Sequence, residues 1–262
     1  MEPAPESALP PAGRVGEIGL PGAAFQLFVG WGFTFAFAIF ATTASLLTLG
    51  RFSIHLTPWL LNFWARVMLW IQRVELLVEG AEHVRPRAMK VVLFTHSSLL
   101  DAMIVTAVKP VGGVSVIKRE ALYIPFVGVA LWALGFLLID RGQTAKAKGV
   151  LARAAARMAR ARLTVFISPE GTRSRDGSLQ PFKKGAFHLA RVSGAPVVPM
   201  LIDGAAALHP KGAWFTRPGR VRVRFLPPIS TAGLSVEGLG AFAESVHGTV
   251  AAGLAELRAG GR

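Results

Sequence analysis

The 262-residue chain contains no cysteine. That single absence excludes thiol nucleophiles, disulfides and cysteine-ligated zinc or iron–sulfur centres. Charge is also scarce: Asp, Glu, Lys and Arg make up 17%, against about 25% in an average soluble domain. Apolar residues reach 52%. Such a composition excludes a disordered chain and points to a membrane-associated protein. Acids are the scarcer sign, 15 against 29 bases, for a net charge of +14. A field of that sign favours anionic partners: lipid headgroups, phosphorylated substrates or nucleic acid. No zinc-finger or RNP signature is present, and the aromatics gather in the first 70 residues rather than among the bases, so no nucleic-acid partner is expected. No Gly-x-Ser-x-Gly elbow surrounds any serine, which argues against a serine hydrolase built on Ser97 or Ser98.

Long charge-free runs are what the chain does have. Residues 1–22 form an acidic, Pro-rich tail that reads as disordered. No charge occurs over residues 18–50, and residues 23–49 would make a helix of ~40 Å, longer than the ~30 Å hydrocarbon core requires. A second apolar stretch, 54–71, carries Trp59, Trp64 and Trp70 with Arg66, which suits an interfacial helix anchored by those three tryptophans. Residues 23–72 are therefore expected to be membrane-embedded, as one span or as a hairpin in one leaflet. Arg51, Arg66 and Arg73 put the body on the cytoplasmic side, at the inner membrane.

From residue 73 to 262 the pattern becomes α/β. Strands are expected at 74–78, 90–94, 114–117, 136–139, 164–167, 197–201 and 221–225. Helices are expected at 98–108, 143–162, 185–192 and 236–258. The alternation implies a mostly parallel sheet flanked by helices, preceded by the N-terminal membrane-anchoring helical segment or hairpin. The 143–162 helix carries Lys146, Arg153, Arg157 and Arg160 on one face, equally suited to solvent and to an anionic ligand.

Two clusters carry chemistry. The 90–94 strand runs into Thr95, His96, Ser97, Ser98, Leu99, Leu100 and Asp101. His96 thus stands where a strand ends, the usual place for a site in an open α/β sheet. Residues five apart on an ideal helix point about 140° away from each other. Contact between His96 and Asp101 therefore requires His96 to precede the helix, with Ser97 or Ser98 capping it. Asp101 would then hold one ring nitrogen and leave the other free as a base. The second cluster is Ser168-Pro169-Glu170-Gly171-Thr172-Arg173-Ser174, followed by Pro181-Phe182-Lys183-Lys184-Gly185. A Gly-containing loop with a hydroxyl and Arg173 suits a phosphate, and either Lys183 or Lys184 could reach it. Histidines 55, 83, 188, 209 and 247 lack metal-ligand spacing and read as surface or packing residues, and Trp214 reads as structural.

Two further blocks complete a series: Ile117-Lys118-Arg119-Glu120 with Pro125, Gly128, Gly135 and Asp140-Arg141, and Pro196-Val197-Val198-Pro199. In this order the four blocks resemble the glycerolipid acyltransferase family, specifically the PlsC-type 1-acylglycerol-3-phosphate acyltransferases, over residues 92–199. The resemblance implies a His-x4-Asp general base, His96 oriented by Asp101, and direct acyl transfer with no acyl-enzyme. It implies an acceptor phosphate site made by Lys118, Arg119, Glu170, Gly171, Thr172 and Arg173. It implies lysophosphatidate as acceptor, with another lyso-lipid (a lyso-aminolipid or a lysophospholipid in remodelling) as the alternative, acyl-CoA or acyl carrier protein as donor, the lipid bilayer as partner, and neither cofactor nor metal. Thr95 and Ser168 depart from the family, where Asn or Lys and Phe are frequent.

Overall fold

The computed structural model describes residues 16–48, 57–84, 88–110, 113–118, 137–139, 144–174 and 178–260. Helices α1 (Leu20–Phe25) and α2 (Trp31–Leu47) are joined by a π-helical turn, Gln26–Gly30, and α3 (Thr57–Ile71) follows. The body then runs β1 (Val74–Glu79), β2 (Lys90–Phe94), α4 (Leu100–Val108), β3 (Gly113–Lys118), β4 (Leu137–Ile139), α5 (Thr144–Ala161) and β5 (Thr164–Ile167). It closes with α6 (Gly185–Ser193), β6 (Val197–Asp203), α7 (Ala205–Leu208), β7 (Gly219–Phe225) and α8 (Leu239–Ala259). All seven expected strands are present within a residue or two.

The strands form one sheet in the order β1-β7-β6-β2-β5-β3-β4. The five from β6 to β4 are parallel, and β7 runs antiparallel to β6 while pairing parallel with β1. The central strands β2, β5 and β6 are continuous apolar runs because helices cover both faces of the sheet. Next to the edge strand β1, the sequence of β7 alternates, and Arg220 reaches Glu75 across the β1 register at 2.6 Å.

The two-residue period of the strands divides the core. Val91, Leu93, Val165, Ile167 and Val197 pack on one face with α5, α6 and α8. Val92, Phe94, Phe166, Val198 and Met200 pack on the other with α3, α4 and α7. Ala65 and Leu69 of α3 lie in that second cluster, so packing continues across the boundary expected near residue 72.

The N-terminal helix lies along α3. Residues Leu20–Ala44 are the one stretch among the described residues long and apolar enough to cross a membrane. Leu20, Phe28, Ile39 and Phe40 are exposed on it. It packs against α3 through Phe37 stacked on Trp64 and Phe33 edge-on to Phe63. On α3, Trp59 and Trp70 are 63% and 73% exposed. Trp64 is half-buried instead: its indole N–H bonds the Thr34 hydroxyl at 3.3 Å and its ring stacks on Phe37. The reason is helical geometry. Trp70 lies about 20° round the axis from Trp59, whereas Trp64 lies about 140° away.

Candidate active site

The strands β2, β5, β6 and β3 all present their carboxyl ends at one edge of the sheet, where α/β folds build sites. His96 stands two residues beyond β2 and ahead of α4, as the spacing requires. Its Nδ1 lies 2.9 Å from Asp101 Oδ2. The same carboxylate oxygen accepts the backbone N–H groups of Ser97 (2.7 Å) and Ser98 (2.8 Å). Asp101, in the first turn of α4, is fully buried, while His96 keeps part of its ring exposed. An acceptor on Nδ1 sets the proton there and leaves Nε2 unprotonated. Phe94 supports the ring edge-on, with centroids 5.7 Å apart.

The Ser98 hydroxyl donates to the His209 carbonyl at 2.7 Å and accepts the Leu100 N–H at 3.1 Å. Ser98 therefore caps the start of α4 and is 1% exposed, which leaves it no path to a substrate as a nucleophile. Thr95 is likewise structural. Its hydroxyl accepts the Ile202 N–H at 3.0 Å, extending the β2–β6 pairing away from the site.

The loop after β5 is tied to His96 twice. The His96 N–H donates to Glu170 Oε1 at 2.8 Å, and the Ser174 N–H donates to the His96 carbonyl at 3.0 Å. Glu170 Oε2 accepts the Gln180 N–H at 3.1 Å. Both oxygens of Glu170 are thus taken by backbone, and the residue is 2% exposed. Glu170, placed by the sequence in the phosphate group of residues, thus braces the loop against His96. Burial raises its pKa above the usual carboxylate range, a shift opposed by the two backbone donors and by His96.

Gly171 has φ +73°, a left-handed conformation that favours glycine. The aliphatic end and Nζ of Lys183 lie against it, 2.9 Å from where a Cβ would stand. Lys184 points instead toward Gly240 of α8. Of the two lysines, Lys183 is the one that lies against the 168–174 loop. Arg173 is half-buried and Thr172 is exposed beside it. Lys118 ends β3 at the same carboxyl edge, although its side chain lies outside the described residues. Arg119 and the Asp140-Arg141 pair also fall outside them.

His209, read from sequence as surface or packing, sits at the rim of this site. Its carbonyl holds Ser98, and its Nδ1 lies 3.1 Å from the Thr216 hydroxyl. Burial lowers its pKa below the usual imidazole range, helped by the nearby Arg173 guanidinium and opposed by a hydrogen bond with the Phe215 backbone. No local spacing marks His209, because only the chain reversal between β6 and β7 brings it to residue 98.

The chain can now be set beside known proteins. The family model described as Acyltransferase matches residues 75–203. The 1-acyl-sn-glycerol-3-phosphate acyltransferase of Limnanthes douglasii is 33% identical over 233 residues, covering 85% of this chain and 79% of that protein. The 1-acyl-sn-glycerol-3-phosphate acyltransferase alpha of Mus musculus is 40% identical over 176 residues, covering 67% and 61%. The crystal structure of the 1-acyl-sn-glycerophosphate acyltransferase PlsC from Thermotoga maritima superposes with a TM-score of 0.74 at 27% identity, covering 92% of this chain and 96% of that one. A shared mixed sheet and a third of the residues in common across most of both chains make this protein an enzyme of the 1-acyl-sn-glycerol-3-phosphate acyltransferase family.

Proposed function

We propose that the enzyme moves a fatty acyl group from acyl-CoA or acyl carrier protein to the free hydroxyl of 1-acylglycerol-3-phosphate, giving phosphatidate. The observation that carries this reading is the His96–Asp101 pair, 2.9 Å apart, on a histidine whose side chain stays 24% exposed. His96 Nε2 takes the proton of the acceptor hydroxyl as its oxygen attacks the thioester carbonyl carbon. The C–S bond breaks, an ester forms, and the proton passes to the departing thiolate. A positioned base of this kind contributes ~10²–10⁴-fold. Asp101 keeps the ring in one tautomer and favours the imidazolium. No acyl-enzyme and no cofactor beyond the acyl thioester enters this scheme.

Arg173, Lys183 and Lys118 form the acceptor's phosphate site in this reading, with Gly171 giving the Lys183 side chain room and Thr172 at its edge. Arg119 joins them by the order of its motif. Holding the phosphate aligns the hydroxyl with His96, where proximity lowers the barrier. The apolar helix Leu20–Ala44 and the exposed face of Trp59 and Trp70 support anchoring in a bilayer, and the basic body supports its cytoplasmic, anionic face. Anchoring serves the chemistry. Each buried CH₂ of a lipid chain is worth about 0.8 kcal/mol, so drawing the acceptor sideways avoids a large desorption cost.

Acyl transfer from oleoyl-CoA to lysophosphatidate by detergent-solubilised protein, run beside His96→Ala, tests the proposal. Phosphatidate from the wild type and nearly none from a folded variant is the expected result. Wild-type silence with both donor types, or a fully active variant, overturns it.

A further inference from the structure

Trp214 is 89% exposed, the most exposed large apolar side chain among the described residues. It does not sit on a loose loop. The Arg217 N–H bonds the Leu208 carbonyl at 2.8 Å, the Ala213 N–H bonds Pro210 at 3.0 Å, and the His209 N–H bonds Ala205 at 2.9 Å. Thr216 is buried, with His209 against its hydroxyl. A rigid turn that holds an indole in water invites a partner that takes apolar surface.

Its neighbours indicate which partner. The Gln26 side chain, on the π-helical turn of the N-terminal helix, bonds both backbone groups of Thr216, at 2.8 Å and 3.1 Å. The Gly16 N–H bonds the Pro218 carbonyl at 2.9 Å. The loop is thus locked to the N-terminal end of the apolar helix, six residues after its start. Lys211 and Arg217 stand three residues to either side of Trp214 and are exposed. A tryptophan between bases, on a loop bonded to the end of an apolar helix, is the chemistry of the headgroup layer. On its inner side the same loop holds Ser98, whose N–H binds Asp101.

We propose that the loop 209–217 is a second membrane contact, made by the catalytic body itself. Trp214 enters the headgroup layer of an anionic leaflet, with Lys211 and Arg217 on lipid phosphates, and so presses the mouth of the site against the surface that carries the acceptor. This rests on the reading of the N-terminal helix as a membrane anchor.

The cysteine-free chain permits a local test. Full-length Trp214→Cys, Phe28→Cys and Ala251→Cys, each labelled with an environment-sensitive fluorophore, are mixed with phosphatidylcholine–phosphatidylglycerol vesicles. Position 28 reports the apolar helix, and position 251 reports α8 on the other face of the sheet. The expected result is a blue shift at 214, quenched more by headgroup-depth than by mid-chain spin-labelled lipid, with 251 unchanged. A water-like label at 214 beside a lipid-like label at 28 overturns the proposal and leaves the anchor intact; a partner protein then becomes the better reading. Water-like labels at both positions overturn the anchor and the proposal together. A second measurement avoids any probe at the site. Brominated lipid should quench wild-type tryptophan emission more than that of Trp214→Phe, and equal quenching counts against the contact.

Discussion

Replacing Glu170 separates the brace from the base. In the wild type each carboxylate oxygen holds one backbone N–H, from His96 and from Gln180. A buried donor left without a partner costs about 1–3 kcal/mol, so Glu170→Ala should lose about 2–6 kcal/mol. Against a typical total of about 5–15 kcal/mol, that places the variant near unfolding. Glu170→Gln is the finer probe. It keeps one acceptor oxygen, turns an amide N–H₂ on the other donor, and escapes the desolvation that raises the carboxyl pKa. Its stability should therefore stay within about 2 kcal/mol of wild type. Its activity should fall by ~10²-fold, because a shift of about 1 Å in His96 suffices for that. The pH dependence has a definite sign. With a folded pKa above 4.5, Glu170 contributes stability that is full below 4.5 and lost as pH rises through the folded value. Glu170→Gln lacks that slope, so wild type gains relative to it on acidification. Urea unfolding at several pH values and initial rates of acyl transfer measure both quantities. Wild-type stability and wild-type turnover in Glu170→Ala would refute the brace.

Asp101→Asn should reduce kcat by ~10²–10⁴-fold while the fold persists, since an amide oxygen still accepts the Ser97 and Ser98 N–H groups but the imidazolium loses its counter-charge. Steady-state rates with circular dichroism check it. Arg173→Ala should raise KM for a phosphate-bearing acceptor ~10–100-fold, the worth of a charge-assisted bond of about 1.5–3 kcal/mol, with a smaller effect on an acceptor lacking phosphate. Gly171→Ala should cost about 1–2 kcal/mol for the left-handed backbone and also push Lys183 aside, so both thermal midpoint and acceptor KM should move. Ser98→Ala should lower stability by about 1–3 kcal/mol, and no acylated serine should be found by mass spectrometry in wild type or variant.

Much of the molecule follows from local pattern. Continuous apolar runs become the central parallel strands because each must be buried on both faces. The five-residue step from His96 to Asp101 forces the histidine off the helix, and the structure has it there. Tertiary contact decided what spacing could not. Glu170 belongs to a phosphate-binding motif by order, yet its role is set by which N–H groups the next strand and the 180s segment bring to it. Lys183 and Lys184 are equivalent in sequence, yet just ahead of α6 they lie against different partners, Gly171 and Gly240. Trp64 looks like Trp59 and Trp70 until α2 covers its face of α3. His209 and Trp214 carry no signature at all. They matter because β6 and β7 fold their connection over the start of α4 and against Gln26, joining segments 190 residues apart. Local sequence determines strands, caps and the catalytic pair. Contacts that close long loops depend on how whole elements pack, and only the folded chain specifies them.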